Sequence, residues 1–310
     1  TLKHWKKNKK PNAKLIYISF ESAPLTKNEL NHVYKKVRGL KALSNQLIKK
    51  LPNIYQSTHR IFFESENVEL ILIYDEFISL KNLNFKADAW FLDGFAPTKN
   101  NTAWNSKLFD QIYLSTKFNG TFSTFTSAGH VRRGLSNSGF SISKVVGFGN
   151  KKESLIGIKK HLSCKNNKVS SSKNCIGPVA IIGCGISGAS LAYSLRKRNI
   201  ECFVVDKSSK YASGASGNKL AIQMPKLTLD SSPYGLLSLE AFSYSRKLAK
   251  DLNSIPTSNG LIVLPSKERD KVKYSKLLQN NWPIDLITNK VDNDNFLGNM
   301  NYIYMKSSGI

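Results

Sequence analysis

Acidic residues, cysteines and long hydrophobic runs are all scarce in this chain of 310 residues. Its 21 Asp and Glu residues are outnumbered by 46 Lys and Arg residues, which gives a formal net charge of +25. This surplus excludes an acidic solvating chain and favours a polyanionic partner, with nucleic acid first and an anionic membrane surface second. The alternative is a protein that is simply rich in solvated surface lysines.

The four cysteines lack the C-x-x-C spacing that is typical of zinc and redox motifs; they are Cys164, Cys175, Cys184 and Cys202. In a chain of this length they predict neither a disulfide framework nor a metal site, so we expect a reducing, cytoplasmic environment. No segment approaches the roughly 18 apolar residues of a membrane span. The basic N-terminal segment is not followed by a hydrophobic signal region either. Membrane insertion, secretion and metal binding are therefore not expected.

Hydrophobic residues nevertheless make up 41% of the chain, which is enough for a packed core. Short apolar runs such as KLIYISF at 14–20 alternate with helical patterns such as that at 27–51. This alternation predicts an α/β fold with a mostly parallel sheet. A stretch rich in Lys and Ser at 161–178 predicts a solvated linker between domains at 1–160 and 179–310. Further strands are predicted at 68–74, 86–92, 121–126, 141–146, 154–158, 179–182 and 201–205.

After the linker, the sequence GCGISG at 183–188 matches G-x-G-x-x-G between a predicted strand and a predicted helix. In this motif Gly183 permits the tight turn, Gly185 lets a pyrophosphate approach the backbone, and Gly188 allows the helix to pack closely on the strand. Asp206, at the end of the next strand, can accept hydrogen bonds from ribose hydroxyls. We predict a dinucleotide site here. The alternative is a glycine-rich turn without a ligand.

The glycine motif alone does not distinguish FAD from NAD. The run SGASGN at 213–218 resembles the G-A-S-G-N segment of flavin-dependent amine oxidoreductases of the D-amino-acid-oxidase type. This resemblance favours FAD and adds Ala215 and Ser216 as cofactor contacts. A flexible loop is the alternative interpretation.

Acidic side chains follow three predicted strands of the first domain. Glu21 follows KLIYISF, the pair Asp75 and Glu76 follows VELILIY, and Asp93 follows ADAWFL. Because ligands of open α/β sheets bind beyond the carboxyl ends of the strands, these acids can accept hydrogen bonds from ribose hydroxyls or an amine. An acid in such a loop is also a common helix cap. For Asp93 the Asp-Gly-Phe-Ala-Pro turn at 93–97 favours a functional role.

Three longer runs carry a family resemblance: DAWFLDGFAPTKNNTAW at 88–104, TFTSAGHVRRGLSNSGF at 124–140 and GFGNKKESLIG at 147–157. Followed by the glycine motif and GASGN, they resemble the MnmC family. Its members are bifunctional enzymes that finish 5-methylaminomethyl-2-thiouridine at the tRNA wobble position. The resemblance implies two Rossmann-like domains: an incomplete S-adenosylmethionine-dependent methyltransferase sheet, then the start of an FAD-dependent amine oxidoreductase.

The resemblance also implies the reaction. The FAD-dependent domain would remove the carboxymethyl group from 5-carboxymethylaminomethyl-2-thiouridine, and the methyltransferase would then methylate the exposed amine. Glu21 would bind the ribose of S-adenosylmethionine, and Glu76 would lie near its adenine. Asp93 would hold the substrate amine in place for attack.

Four further residues are predicted to contact the tRNA. Phe95 and Pro97 can form an apolar wall against the base. Arg132 and Arg133 are candidates for phosphate contacts, or alternatively a solvated pair at the start of a helix. The expected partner is a tRNA with a modified wobble uridine, and the expected state is a monomer.

The chain departs from the family pattern at both ends. No glycine turn of the family's G-F-G-T-G type precedes Lys14, and the FAD part stops at Ile310. We therefore expect a piece of a longer protein that methylates tRNA poorly by itself. Two other functions stay open: a small-molecule FAD-dependent amine oxidoreductase with an accessory domain, and a non-catalytic tRNA-binding protein.

Overall fold

The computed structural model forms two compact units. The first unit comprises Thr1–Ser19, Ala23–Tyr74 and Ser172–Ile310, and the second comprises Phe20–Ser22 and Asp75–Ser171. The structure describes all residues except 12, 38, 52–57, 95–103, 148, 150, 161–176, 230–231, 255–258, 280–285, 290–301 and 310. Because most of the proposed linker lies outside the described residues, the domain division at 161–178 stays a prediction.

The elements follow one another in the chain order α1 (Leu2–Asn8), β1 (Leu15–Phe20), α2 (Lys27–Lys35), α3 (Lys41–Lys50), β2 (Thr58–Phe63), β3 (Val68–Ile73), β4 (Ala87–Leu92), α4 (Ser106–Leu114), β5 (Thr116–Thr124), α5 (Gly129–Asn137), β6 (Ser141–Val146), β7 (Glu153–Ile158), β8 (Val179–Ile182), α6 (Ile186–Arg196), β9 (Cys202–Val205), α7 (Pro233–Asp251), β10 (Asn259–Val263), α8 (Glu268–Gln279) and β11 (Ile303–Gly309). Short 3-10 turns at Glu64–Glu66, Phe77–Asn82 and Ala215–Gly217 join some of them. None of the helices in the described ranges is long and apolar enough to cross a membrane.

In the first unit, β1, β3 and β2 form a sheet in that order. Strands β2 and β3 are antiparallel, with Thr58 opposite Ile73 at one end of the pairing and Phe63 opposite Val68 at the other. Strand β2 was not predicted, although its alternate burial, with His59, Ile61 and Phe63 buried, is a strand signal. The predicted helix at 27–51 is wrong as one element. It is two helices, because the chain turns at Gly39 with φ of 76°.

The second unit contains a four-stranded sheet in the order β4-β5-β7-β6. Strands β4 and β5 are parallel, whereas β5–β7 and β6–β7 are antiparallel. The expectation of a mostly parallel sheet is therefore wrong for this sheet, because the strands predicted at 141–146 and 154–158 join it in the antiparallel sense. A buried cluster on this sheet includes Phe122, Val131, Leu135 and Leu155.

The glycine motif lies in a strand–helix–strand segment of the first unit, β8-α6-β9, in which the two strands are parallel. Helix α6 begins at Ile186, so it starts inside the motif rather than after it. Further along, β10 and β11 pair antiparallel, and they lie over a buried cluster that includes Leu239, Leu277 and Met305. The predicted α/β class is confirmed.

Candidate functional site

The first candidate site is the turn between β8 and α6. Gly183 has φ of 100°, a left-handed conformation that glycine adopts without strain. A Cβ atom at Gly188 would collide with the carbonyl oxygen of Gly183, so α6 packs directly on the turn. Both glycines thus have a steric reason to be glycine. The backbone N–H groups at the start of α6 stay close to the surface, and its first turn carries no acidic residue.

Asp206, which follows β9, reaches back to this turn. Its Oδ2 accepts a hydrogen bond from the Cys184 N–H at 2.7 Å, and its Oδ1 accepts one from the Ser208 N–H at 2.9 Å. These two N–H donors, Cys184 foremost, hold the pKa of Asp206 below its ordinary value. Because an ionised carboxylate offers about four lone-pair sites, Asp206 can still accept hydrogen bonds from a ribose.

The small-residue run at 213–218 also lies against the glycine turn. Ser216 Oγ accepts a hydrogen bond from the Ile186 N–H at 3.0 Å, and a Cβ at Gly185 would lie 3.0 Å from the same Oγ. Ala215 opens the 3-10 turn that carries Ser216, and it is exposed. Sequence reasoning missed Ala212, whose N–H donates to the Cys184 carbonyl at 3.0 Å and whose φ is 51°. An alanine with positive φ gives no signal in the sequence.

These features fit an FAD. The glycines at 183, 185 and 188 leave room for a pyrophosphate close to the backbone. The start of α6 favours this anion through its N–H groups and the helix dipole, and Asp206 supplies a hydrogen-bond acceptor for a ribose. The structure brings together Gly183, Gly185, Gly188, Asp206 and Ser216. Their contact with FAD stays a prediction.

The second candidate site lies in the second unit, at the carboxyl ends of β1 and β4. Glu21 follows β1 and Asp93 follows β4, and both keep exposed surface. Partial desolvation raises the pKa of the Glu21 carboxyl, and the negative charge of Asp93 raises it further. Two of the predicted acids thus lie close enough to interact. Their shared negative potential favours a cationic ligand.

Asp75 and Glu76 follow β3 and are both exposed. Asp75 Oδ1 accepts a hydrogen bond from the Glu76 N–H at 2.8 Å, and Glu76 is the N-cap residue of the following 3-10 turn, which has no side-chain cap. The rings of Phe20 and Phe77 lie 6.0 Å apart, which brings the chain beside Glu76 near the end of β1. This arrangement favours Glu76 over Asp75 for contact with a ligand bound near Glu21.

Arg132 and Arg133 lie in the first turns of α5, and both are exposed. Leu92 pairs in parallel with Thr124, so the loop that leads into α5 leaves the sheet at the same edge as Asp93. The guanidinium of Arg133 folds over Gly129, where a Cβ would lie 3.1 Å from its Nη1. The predicted residues Phe95 and Pro97 lie outside the described residues.

The described residues also include a cavity in the first unit and two cysteines, of which Cys184 lies in the glycine turn. A cavity of about 270 Å³ is lined by apolar side chains of the first unit, among them Leu43, Leu47, Phe63 and Leu70, and contains none of the predicted site residues. Within the described ranges, no group of three or more His, Cys, Asp or Glu residues is arranged to hold a metal ion. Cys184 and Cys202 are free thiols.

Two family models match the chain in succession. Residues 38–160 match an S-adenosyl-L-methionine-dependent methyltransferase, and residues 178–294 match an FAD dependent oxidoreductase. The two matched segments are called below the methyltransferase segment and the FAD segment. The glycine turn and Asp206 fall in the FAD segment, and Glu76 and Asp93 fall in the methyltransferase segment, whereas Glu21 precedes it.

Curated relatives combine both segments in one chain. The chain is 36% identical to the tRNA 5-methylaminomethyl-2-thiouridine biosynthesis bifunctional protein MnmC of Marinomonas sp., over 85% of this chain and 41% of that protein. It is 37% identical to the protein of the same name from Pseudoalteromonas translucida, over 77% of this chain and 37% of that protein.

A crystal structure of MNMC2 from Aquifex aeolicus is 26% identical, over 51% of this chain and 48% of that one, with a TM-score of 0.40. The chain thus spans about two fifths of the length of the curated relatives it matches. Both segments occur in the order that these relatives share, at 34–37% identity. Over 77–90% of its own length, the chain is similar to proteins named MnmC.

Proposed function

We propose that this chain takes part in finishing a wobble uridine of tRNA, by oxidative removal of a carboxymethyl group and subsequent N-methylation. The observation that carries the proposal is the succession of a methyltransferase and an FAD segment in one chain, as in relatives named for 5-methylaminomethyl-2-thiouridine biosynthesis. The substrate of the first step would be 5-carboxymethylaminomethyl-2-thiouridine. Its product would be the primary amine that the second step methylates.

The oxidative step uses the glycine turn. Bound FAD would accept two electrons from the amine and convert the C–N bond of the carboxymethyl group into a C=N bond. Water would then hydrolyse this bond, which releases the carboxymethyl carbons as an aldehyde and leaves the primary amine on the nucleoside. The N–H groups at the start of α6 would bind the FAD pyrophosphate, because an anion there interacts favourably with the helix dipole. Asp206, held ionised by the N–H groups of Cys184 and Ser208, would accept hydrogen bonds from the ribose. Ala215 and Ser216 would flank the cofactor.

The methylation step uses the acids of the second unit. Bound S-adenosylmethionine would supply the methyl group from a positively charged sulfonium. Glu21 would accept hydrogen bonds from the ribose of this donor, and Glu76 would lie near its adenine. Desolvation is the larger cause of the raised pKa of Glu21 and the charge of Asp93 the smaller one, and a cationic donor would offset this smaller contribution.

Asp93 is the proposed catalytic residue. Methyl transfer needs a neutral amine in line with the sulfonium, so positioning matters more than strong acid–base chemistry. A carboxylate that accepts a hydrogen bond from the amine orients its lone pair and takes up its proton. Gly94, directly after Asp93, is exposed, and a Cβ there would meet no atom of the described residues within 4 Å.

The tRNA would be held by charge. The formal net charge of +25 favours a polyanion, and the exposed Arg132 and Arg133 lie where a phosphate can reach them. Phe95 and Pro97 would contact the base. We place this activity in the cytoplasm, in a monomeric enzyme, as part of the same proposal.

Nucleoside mass spectrometry of tRNA from the source cells tests both steps. Gly188→Val, which fills the cradle under α6, is expected to accumulate the carboxymethylated nucleoside. Asp93→Asn is expected to accumulate the primary amine instead. Asp88→Asn, an exposed change on the same strand that removes only a surface pair with Lys117, is the control and should leave the nucleosides unchanged. An unaltered profile in both test variants would refute the proposed function.

A further inference from the structure

A buried carboxylate joins distant parts of the first unit. Glu69, on β3, is only 2% exposed. It accepts hydrogen bonds from Lys14 Nζ at 3.1 Å, Arg60 Nη1 at 2.8 Å and Arg198 Nη2 at 2.9 Å. A buried charge is tolerated only when it is paired and hydrogen-bonded, and Glu69 has three cationic partners. The third partner follows the helix of the glycine motif.

Arg198 connects this carboxylate to the carboxyl end of α6. While its Nη2 donates to Glu69, its Nη1 donates to the Ser194 carbonyl in the last turn of the helix at 2.9 Å. The guanidinium also lies over the Phe62 ring of β2, 5.0 Å from the centroid. Neighbouring Lys197 pairs with Glu64 at 3.2 Å. The end of α6 is thus attached to the hairpin by two adjacent cations.

Helix α7 contacts the same hairpin along its free edge. Strand β2 is the edge of its sheet, where backbone groups need partners. Glu240 of α7 accepts a hydrogen bond from the Thr58 N–H at 3.1 Å, and Lys247 donates one to the Arg60 carbonyl. Side chains of α7 therefore complete the edge of β2.

We propose that the β2–β3 hairpin, Thr58–Ile73, is the support of helix α6 and that Glu69 is its positioning residue. The hairpin lies in the methyltransferase segment, whereas α6 lies in the FAD segment. The FAD motif thus depends on a carboxylate that its own segment does not contain. Because a helix is a stiff rod, fixing its carboxyl end orients the N–H groups at its other end. The consequence for FAD binding rests on the proposed function.

The test compares Arg198→Met with Arg196→Met in the 310-residue chain. Arg196 lies on the same helix and is exposed, so its loss is a matched control. Arg198→Met leaves Glu69 paired with Lys14 and Arg60, which keeps the carboxylate satisfied and the chain folded. A second variant, Glu69→Gln, removes the carboxylate charge itself. Circular dichroism verifies that each variant is folded.

Two measurements are made on each variant. Hydrogen–deuterium exchange without FAD is expected to be about tenfold faster in α6 of Arg198→Met and Glu69→Gln, and unchanged in Arg196→Met. The dissociation constant for FAD, from quenching of flavin fluorescence, is expected to rise by about tenfold in the same two variants.

Unchanged hydrogen–deuterium exchange in α6 of both variants would overturn the proposal that the hairpin supports α6. Faster exchange with unchanged FAD affinity would overturn the positioning role. Failure of the unmodified chain to bind FAD would instead contradict the proposed FAD site, and with it the positioning role, while the exchange data would still test the support.

Discussion

At the scale of single residues, the second unit depends on two carboxylates that repel one another. Burial is the larger cause of the raised pKa of Glu21, and the charge of Asp93 is the smaller one. A ligand that carries positive charge would relieve both charges at once. The pKa of Glu21 is therefore expected to respond to a charged ligand near the carboxyl ends of β1 and β4.

The Glu21 carboxyl gives a direct readout of this pair. In Asp93→Asn the pKa of Glu21 is expected to fall but to stay above its ordinary value, because desolvation remains. A carboxyl-detected NMR titration of Glu21 measures the change. Asp75→Asn serves as the control with an equal change of charge and should leave the titration of Glu21 as it is. An unshifted midpoint in Asp93→Asn would mean that the two acids do not interact.

Glu69 is the second residue with a large electrostatic role. Burial alone would raise the pKa of its carboxyl, but hydrogen bonds from Arg60 and Lys14 and the charge of Arg198 outweigh burial and hold the pKa below its ordinary value. A folded-state pKa below the unfolded one adds stability above the unfolded value, near pH 4.3, and this stability is lost as the pH falls through the folded value.

Glu69→Gln is therefore expected to lower the free energy of unfolding by about 2 kcal/mol at pH 7, below the full cost of breaking a buried pair, because its partners are partly exposed. The difference from the unmodified chain should shrink as the pH falls below about 4, where the carboxyl gains a proton. Urea titrations at several pH values measure it. Glu153→Gln, which removes an exposed pair with Lys144, is the control. A pH-independent difference would contradict the electrostatic role.

The glycine turn and the Glu69 cluster differ in how much of each can be predicted from the sequence. The glycine turn and Asp206 were identified because strand, turn, helix and acid follow one another within a short stretch of chain. The Glu69 cluster was not, because Lys14, Arg60 and Arg198 are far from one another in sequence and have no common motif. Long-range pairing of charges depends on the tertiary structure. Single-sequence patterns do not contain it.

At the scale of elements, the glycine motif allows helix α6 to pack closely on the preceding turn, in addition to forming the candidate cofactor site. Gly188 lies where α6 crosses the turn, and a methyl group there would collide with the Gly183 carbonyl. Elsewhere the elements follow their local patterns, as in the hairpin of β6 and β7. The exceptions are β2, whose alternation includes polar residues, and the break between α2 and α3. Strand β2 depends on pairing with β3, and the break between α2 and α3 depends on Gly39.

Gly188→Ala is expected to destabilise the first unit by about 2 kcal/mol, because α6 must move away from the turn. Gly214→Ala is the matched control, since its Cβ would meet open space and its φ of −97° suits alanine. Thermal unfolding of both variants measures the difference. Equal melting temperatures would show that α6 does not pack on the turn as described.

At the scale of the whole molecule, one chain combines a methyltransferase segment with an FAD segment, and under the proposed function both act on the same nucleoside. The methyltransferase and FAD segments are separate in sequence, and each candidate site has its own acids and its own cofactor. The proposed function therefore implies an order of reaction, because the amine to be methylated would be released only by the oxidative step. The order is a property of both sites together and follows from neither one alone.

The measurement that tests this most directly is nucleoside mass spectrometry of tRNA from source cells that carry Gly188→Val and Asp93→Asn in the same chain. The account predicts the profile of Gly188→Val alone, with the carboxymethylated nucleoside accumulating, because the second site never receives its amine. Accumulation of the primary amine, or of the finished methylated nucleoside, in the double variant would contradict it.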